Sequence, residues 1–370
     1  MKRLLTLIIC VIVLVMVITS ALSCSKSAPQ TTATTQATTA AKPITLVFAI
    51  FEMAGSVQAT GTLIPYISEV EKRTGGRVKL EPHWNGELVN LMDAYNAVVD
   101  GSVDLAYDIP GMHPGLFDLD IINNFVRYDT LCWKPSRVYY ELTQKFPELQ
   151  AQYKDVKCLY NGATIQPSIG TTKKLITKLE DLKGLKILSS SAWAGARFEA
   201  LGMVPVSVPP ADSFTSLQKG TIDATPQSLW MLVDWNEGEV VHNQVNASAS
   251  TPYFTIVMNK NKWNSLPADI QKIFNDLNSY IGDVGDQAQL DAHKKYWDLT
   301  ITKYNTQYSI LPKSELTRWD VLDAPVIDKF VKEMESKGAP MSKIKDEFIK
   351  LRDKYSAAEY APGWAKAWSP

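Results

Sequence analysis

The sequence predicts an α/β fold built as two lobes that face each other across a cleft. Apolar extended segments alternate with amphipathic helical segments, a pattern typical of a largely parallel sheet covered by helices. The chain has 370 residues, which is enough for more than one domain. One pattern occurs twice, in residues 94–106 (AYNAVVDGSVDLA) and 213–225 (SFTSLQKGTIDAT), where a helix ends at a glycine and a buried strand follows. Ligands of such sheets bind beyond the carboxyl ends of the strands, so we expect the loops after these strands to line the cleft.

The first half of the chain predicts three strands separated by two helices. The strands are expected at Ile44–Ile50, 77–83 and 101–106. Apolar positions at helical spacing mark the two helices, and they are Leu63, Ile64, Ile67 and Val70, then Leu88, Leu91, Tyr95 and Val98.

Two crossings between the lobes are expected next. A helix over 133–152, interrupted at Pro147, leads to a strand at 156–161 that runs toward the second lobe. A strand at 252–259 returns. Paired crossovers of this kind act as a hinge when a cleft closes.

The second lobe predicts strands at 185–188 and 204–208 and helices at 192–201 and 211–219. Each of these helices is followed by a glycine, which is a common helix end.

A long helix is expected from Ile270 to about Thr300, because its apolar residues fall on one face at helical spacing. Its interior Gly282 and Gly285 permit close packing. Further helices are expected near 326–334 and 342–355.

Three spaced blocks of the second lobe match the signature of a known family. They are DLKGLKI at 181–187, ALG with PV within 200–206, and LQKGTID at 217–223. In the first lobe, EVEKRTGGRVKL, NGEL and DGSVDLA match as well. The chain therefore resembles the extracytoplasmic solute-binding proteins of TRAP transporters, the DctP-like family. The resemblance implies a two-lobed periplasmic-binding-protein-like fold with hinge crossover strands and a long helix spanning both lobes.

One position departs from this family. Its members usually carry an arginine directly after the Lys-Ile pair, to hold a substrate carboxylate, and this chain has Leu188 there. A second arginine that is common about twenty residues upstream has no counterpart in residues 164–169. A buried carboxylate without a cation costs several kcal/mol. Either another cation replaces this clamp, with Arg197 the first candidate and Arg127 the second, or the ligand is neutral or largely apolar.

Composition divides the chain into five parts. Residues 1–23 are expected to be a lipoprotein signal peptide and 24–42 a flexible Thr/Ala-rich tether. Lobe I is expected at 43–161 and lobe II at 162–255. Residues 256–370 then hold the returning hinge strand, the long helix and C-terminal helices shared between the lobes.

The first residues predict export. Lys2 and Arg3 precede an uncharged stretch, and residues 21–24 (ALSC) resemble a bacterial lipobox, in which Cys24 becomes the lipid-modified N-terminus. An uncleaved anchor is the alternative, because the stretch is long enough to span a bilayer. Both place the rest of the chain outside the cytoplasm, in the periplasm or at the outer face of the cytoplasmic membrane. The tether would hold it near a membrane partner, or serve as a cell-wall spacer.

Cys132 and Cys158 are the cysteines of the expected folded part. Outside the cytoplasm they are able to form one disulfide. Whether their Cα atoms come close enough cannot be read from sequence, so the bonded and the free state both stay open.

Composition and motifs argue against several classes of function. The net charge is −1 and there is no long basic segment, which disfavours a nucleic-acid partner. The sequence contains no GxSxG, HExxH, GxGxxG or P-loop motif. The four histidines show no metal-ligand spacing, and they are His83, His113, His242 and His293. We therefore expect no enzyme activity, no cofactor and no metal.

Aromatic and polar side chains near the predicted strand ends are the candidates for ligand binding, because small organic ligands sit in mostly apolar pockets with a few placed polar groups. These candidates are Phe51, Glu52, Asn90, Tyr107, Asp108, Ser190, Ser191, Trp193, Arg197, Gln227, Trp230 and Phe254. For each, packing in the core or exposure on a loop is the alternative. Trp193 and Trp230 are favoured because they directly follow predicted strand ends.

The resemblance implies a binding protein that captures a small organic solute between its lobes, with aromatic or largely apolar organic acids as one candidate class. It would deliver that solute to the membrane subunits of a TRAP permease while its lipid anchor holds it at the membrane. A sensory protein that signals to a membrane receptor is an alternative. An enzyme on the same fold is a further alternative, which the missing motifs disfavour.

Overall fold

The structure is a computed structural model. It describes residues 42–125, 132–165, 168–189, 191–209, 212–245, 247 and 252–356. The described residues from 42 to 356 belong to one compact unit, and residues 1–41 lie outside the described residues. The predicted signal peptide, the tether before residue 42 and the lipidation of Cys24 therefore lie outside them as well. Within the described ranges, no helix combines the length and the apolar character needed to span a membrane.

The described strands form two separate sheets, one in each lobe. The strands are β1 Ile44–Ile50, β2 Val78–His83, β3 Leu105–Asp108, β4 Val156–Ala163, β5 Ser168–Thr171, β6 Lys186–Leu188, β7 Val204–Val206, β8 Ala224–Gln227, β9 Asn243–Val245, β10 Tyr253–Asn259 and β11 Gln307–Ser309. The first sheet has the order β2-β1-β3-β10-β4, and the second has the order β11-β9-β5-β8-β6-β7. The two-lobed α/β fold predicted from the sequence is confirmed.

Helices cover these sheets. They are α1 Ile64–Arg73, α2 Leu91–Asp100, α3 Pro135–Lys145, α4 Pro147–Ala151, α5 Ala192–Ala200, α6 Ser213–Lys219, α7 Leu229–Asp234, α8 Lys260–Ser265, α9 Ala268–Thr302, α10 Lys313–Ser336 and α11 Met341–Lys354. A π-helical segment at Ala59–Leu63 precedes α1. The predicted interruption at Pro147 is confirmed, because it separates α3 from α4.

The repeated sequence pattern produces the same local structure in both lobes. Gly101 ends α2 and Gly220 ends α6, with φ of 85° and 70°, values that glycine adopts without a Cβ penalty. The strands β3 and β8 follow, and each pairs in parallel with a neighbour in its sheet. The two α/β units predicted from the repeat are therefore present.

Some predicted boundaries were wrong, and several short elements were not predicted. Leu88 does not belong to α2, because the Asn90 side chain accepts a hydrogen bond from the Asp93 backbone N–H and starts the helix after it. The strands β5, β9 and β11 have only three or four residues. Three or four residues are too few to show the alternation of apolar and polar side chains that predicts a strand. These strands form because they pair with neighbouring strands.

The long helix α9 joins the two lobes. It packs against β4, α1 and α3 of the first lobe and against α7 of the second. The buried Gln289 side chain accepts a hydrogen bond from the Ile165 N–H and donates one to the Ala163 carbonyl, both at 3.0 Å, where β4 leaves the first sheet. The nearby Asp286 carboxylate accepts from the Ser136 N–H at 3.2 Å. The helix thus fixes the backbone of the crossover itself.

Glycines let α9 approach the π-helical segment closely, as predicted for its interior glycines. A Cβ at Gly285 would lie 2.5 Å from Thr62 Oγ1, and a Cβ at Gly61 would lie 2.4 Å from the Ala288 Cβ. Both distances are shorter than real Cβ atoms show, so neither position accepts a larger residue without movement of a neighbour.

The two cysteines of the folded part are free thiols, so the disulfide that the sequence left open is absent. Cys132 lies in the cluster around α3 and α11. Cys158 is on β4, where its sulfur lies 3.4 Å from the Tyr160 carbonyl and 3.3 Å from Asn161 Oδ1. The two side chains belong to different packing clusters of the lobe, which keeps the thiols apart.

We predict that Gln289→Ala destabilises the protein by about 1–3 kcal/mol, because it leaves a backbone N–H and a carbonyl of the crossover unsatisfied in the core. Chemical denaturation measures this loss. The matched control is Gln287→Ala on the exposed face of the same helix, which should change stability little. Equal effects of the two substitutions would contradict the role given to Gln289.

Candidate functional site

A cleft lies between the two sheets, beyond the carboxyl ends of β1, β6 and β8. Its empty volume is about 710 Å³, including space open to solvent. The lining residues come from both lobes and from the strand that returns between them, and they are Phe51, Glu52, Ile109, Met112, Thr164, Leu188, Ser213, Thr225, Pro226, Ser228, Trp230, Met231, Trp235, Pro252 and Phe254. The cleft lies at the strand ends where the sequence predicted it.

Three stacked rings form one wall of the cleft. The ring centroids of Phe51 and Tyr107 are 5.4 Å apart with planes 12° from parallel, and those of Tyr107 and Phe254 are 5.4 Å apart at 8°. Tyr107 is buried behind the other two, and its hydroxyl donates to Gln58 Oε1 at 3.4 Å. Such stacking fixes the ring orientations. The wall therefore offers a flat, rigid and apolar surface to a ligand.

Two indole rings form part of the opposite wall. Trp230 and Trp235 pack edge to face with centroids 6.3 Å apart. The Ser228 hydroxyl, just before α7, donates to the Ile165 carbonyl at 2.9 Å and ties this wall to the crossover. Trp230 is buried, and its indole N–H has no acceptor among the described residues. The second lobe thus presents an aromatic surface together with a hydrogen-bond donor.

Glu52 is a buried carboxylate in the cleft. Its side chain is 2% exposed, and neither oxygen makes a hydrogen bond of ordinary geometry with a described residue. Burial raises the pKa of Glu52 to about 7; the nearby Ser56 hydroxyl partly offsets this rise, and the charge of Asp234 adds to it. The Glu52 backbone carbonyl accepts from the Asn85 N–H at 3.0 Å, which holds this loop in place.

Asp234 connects the lobes at the side of the cleft. Its Oδ2 accepts a hydrogen bond from the Val57 backbone N–H of the first lobe at 2.9 Å. Its Oδ1 accepts from the Tyr296 hydroxyl of α9 at 3.0 Å. Burial is the main cause that raises the pKa of Asp234. One carboxylate of α7 therefore bonds to the other lobe and to the connecting helix.

A smaller recess adjoins the cleft through Ile109 and Pro252. Ser191 and Asp120 lie in it. Asp120 is buried and accepts hydrogen bonds from two tyrosine hydroxyls and from the Gln152 amide at 2.9 Å. Burial raises its pKa to about 6, although these three donors oppose the rise. Asp120 is thus a satisfied structural carboxylate.

The described residues contain no group of three or more His, Cys, Asp or Glu side chains that could hold a metal. His113 pairs with the buried Asp108, and its Nε2 lies 2.9 Å from both carboxylate oxygens. The Ile109 N–H also donates to Asp108 at 2.8 Å. This pair shapes the loop that carries Ile109 to the cleft.

Residues 135–334 match the protein family described as "DctP: Bacterial extracellular solute-binding protein, family 7", and this match covers more than half of the chain. The chain belongs to this family. A relative named "Solute-binding protein" from Verminephrobacter eiseniae is 27% identical over 218 residues, which are 57% of this chain and 63% of the relative. The chain thus spans less than two thirds of that relative. The C4-dicarboxylate-binding periplasmic protein DctP of Rhodobacter capsulatus is 22% identical over 78% of this chain and 87% of its own length.

Solved structures of TRAP solute-binding proteins share the fold. One from Rhodoferax ferrireducens, in complex with copurified benzoate, superimposes with a TM-score of 0.77 at 23% identity. The matched region covers 85% of this chain and 98% of the Rhodoferax ferrireducens chain. Another from Desulfovibrio salexigens, an open complex, has a TM-score of 0.74 at 26% identity, with 84% and 96% covered.

In the present chain, Leu188 lines the cleft at the end of β6. This is the position at which the resemblance implies an arginine clamp. The described lining of the cleft contains no lysine or arginine. A leucine here adds apolar surface where a guanidinium would add charge, which is the difference that the sequence predicted.

Arg197 is not among the described lining residues of the cleft. It is 1% exposed and forms a bidentate ion pair with Asp323 of α10, with Nε at 2.7 and 2.8 Å from the two carboxylate oxygens. The structure therefore pairs this guanidinium with a carboxylate of the protein inside the core. The sequence could not reveal this pair, because its members are 126 positions apart.

The structure brings only part of the predicted ligand-binding set together. Phe51, Glu52, Trp230 and Phe254 line the cleft, with Tyr107 stacked behind them. The other candidates that the structure describes have structural contacts.

Asn90 is exposed and caps α2, and Ser191 caps α5 beside the recess. Trp193 packs on Phe330, with ring centroids 4.9 Å apart. Ser190, the Gln227 side chain and Arg127 lie outside the described residues.

Thr164 and Ser213 are lining residues that the sequence analysis did not propose. Thr164 directly follows β4, where the crossover leaves the first sheet, and Ser213 begins α6. Their positions next to predicted strand and helix ends were a usable signal. Small hydroxyl side chains are common at such ends for capping alone, so residue type did not single them out.

We predict that Glu52→Gln raises stability at pH 8 but not at pH 4.5. The folded pKa of about 7 exceeds the unfolded value of 4.5, so the penalty of ionising Glu52 is absent below pH 4.5 and complete above pH 7. The shift corresponds to roughly 3 kcal/mol. Denaturation at both pH values measures it. The exposed Glu199→Gln is the control, and an equal pH dependence of both variants would contradict this account.

We also predict that Arg197→Met costs about 3–5 kcal/mol of stability, because it removes the guanidinium that neutralises the buried Asp323. Replacing both residues, as Arg197→Met with Asp323→Leu, should recover most of the loss. The exposed Arg318→Met serves as the control and should lose much less. If the single substitution abolished ligand binding in a folded protein, the structural role of Arg197 would be contradicted.

Proposed function

We propose that this protein captures a small organic solute between its two lobes and delivers it to a TRAP-type membrane permease. The observation that carries the proposal is the cleft itself, which both lobes line with aromatic rings in a chain of the family 7 solute-binding proteins. Concave and largely apolar sites with a few polar groups are typical of small-molecule binding.

The ligands of structural neighbours support a cyclic solute. The Rhodoferax ferrireducens protein holds benzoate, a Bordetella bronchiseptica protein holds (R)- and (S)-mandelate, and a Desulfovibrio salexigens protein holds orotic acid. Each of these molecules contains a ring. The stacked wall of Phe51, Tyr107 and Phe254 suits a ring of this kind, because aromatic faces pack well in offset stacks.

Closure of the lobes on the solute follows from the hinge. Rings and polar groups on both walls reach one ligand only when the lobes are together, so binding stabilises the closed form. The Asp234 hydrogen bond to Val57 is one contact of that form. The chain passes between the two sheets from β4 to β5 and from β9 to β10, and these crossings would act as the hinge.

We further propose that the chain is exported and lipid-anchored through Cys24. The charged start, the uncharged stretch and the lipobox-like residues 21–24 support this proposal. A tether of residues 24–42 would keep the cleft close to the permease and raise its effective concentration there. The membrane is the second partner, and a nucleic acid is not expected.

A thermal-shift screen of ring-containing and acyclic organic solutes tests this function. A solute of the cleft should raise the melting temperature with its concentration. Phe51→Ala, which removes part of the aromatic wall, should weaken binding of the strongest hit at least tenfold. Trp193→Ala is the matched control, because it removes a half-buried ring outside the cleft. Binding that is lost in both variants, or in neither, would contradict the placement of the site.

A further inference from the structure

The cleft contains buried polar atoms that no described residue satisfies. They are both carboxylate oxygens of Glu52, the indole N–H of Trp230 and the hydroxyl of Thr164. Each of these residues is 2% exposed and lines the cleft. A buried polar group without a partner is costly, so in a binding cleft such atoms indicate what a ligand supplies.

The charged residues in the described lining of the cleft and its recess are acidic. The described lining of the cleft and its recess holds Glu52 and Asp120 but no lysine or arginine. Asp120 is satisfied by its tyrosine and glutamine donors, which leaves Glu52 as the carboxylate available to a solute. Behind Ser213 lies a third buried carboxylate, Glu237, whose pKa burial raises to about 7. Within the described lining, an ionised Glu52 would repel an added anion.

We propose that the solute presents a hydrogen-bond-donating nitrogen to the Glu52 carboxylate, so that the site selects cyclic amides or amines over simple carboxylates. This inference rests on the proposed function, since it names the class of solute for the same cleft. A nitrogen donor on an ionised carboxylate forms a charge-assisted hydrogen bond, which is stronger than a neutral one. It would remove the desolvation penalty of Glu52 when the solute binds.

The cleft also offers hydrogen-bond donors of its own to an acceptor atom of the solute. The Trp230 N–H and the Thr164 hydroxyl lie in the same cleft and can donate to an oxygen acceptor. A flat ring with an N–H on one side and a carbonyl oxygen on the other would satisfy Glu52 of lobe I and Trp230 of lobe II together. Only a closed protein makes both bonds, so the polarity of the solute is coupled to closure.

A carboxylate solute could bind Glu52 only by sharing a proton with it. Burial, with a contribution from Asp234, raises the pKa of Glu52 to about 7, so a proton is available below that pH. The titratable groups that face Glu52 are Asp234 of α7 and the Tyr107 hydroxyl of β3, and the pKa of Tyr107 is raised well above its ordinary value. At pH 8.5 Glu52 is ionised, and the two kinds of solute become distinguishable.

Benzamide and benzoate provide the test, because they have nearly the same shape and differ in offering an N–H or only acceptor oxygens. Isothermal titration of the protein at pH 8.5 should give benzamide at least tenfold higher affinity than benzoate. Glu52→Gln should reduce or reverse this preference, because its amide can donate to a carboxylate. The exposed Glu199→Gln should keep it.

Two other outcomes overturn the inference in different ways. If benzoate binds more tightly at pH 8.5 and Glu52→Gln leaves that preference unchanged, the solute class is wrong while the proposed function stands. The cation would then come from residues outside the described ranges, for which Arg127 is the candidate from sequence. If neither probe binds and the wider solute screen is negative as well, the proposed function fails together with the inference.

Discussion

The hydrogen bonds between α9 and the backbone of the crossover are the constraint on which the two-lobed arrangement depends. Gln289 bonds to the backbone on both sides of the point where β4 leaves the first sheet, and Ser136 donates its backbone N–H to Asp286 of the same helix. The Ser136 hydroxyl in turn accepts from the Ala163 N–H at 3.1 Å. The buried backbone groups of this crossover need hydrogen-bond partners. The helix α9 and Ser136 supply them, so the chain leaves the first sheet along a defined path.

The cleft departs from the usual rule that buried charges are paired, and this departure is informative. Two buried groups outside the cleft follow the rule, because Arg197 pairs with Asp323 and Asp120 has three donors. In the cleft, Glu52 is buried without such partners and its pKa rises to about 7. Groups that lower stability in this way cluster at functional sites, because the ligand supplies the missing interaction.

The aromatic wall and the leucine at position 188 have the same physical effect, because both give the cleft apolar surface in place of charge. A guanidinium after β6 would hold a carboxylate by charge, whereas Leu188, Phe51 and Phe254 contribute apolar surface that does not distinguish charge. Discrimination then rests on the few polar atoms left in the cleft. Glu52 accepts, while Trp230 and Thr164 donate.

The sequence by itself determined the two-lobed fold, the main strands and helices, the family, and the leucine at position 188 where the resemblance implies an arginine. These rest on local signals: apolar periodicity, glycines such as Gly101 and Gly220 at helix ends, and residue type at a motif position. Only the tertiary structure decided what each candidate side chain contacts. Asn90 caps a helix and Arg197 finds Asp323, 126 positions away, because such contacts depend on which elements the fold brings together. The burial of Glu52 likewise depends on how the cleft is packed, so the residues next to it in sequence do not predict it.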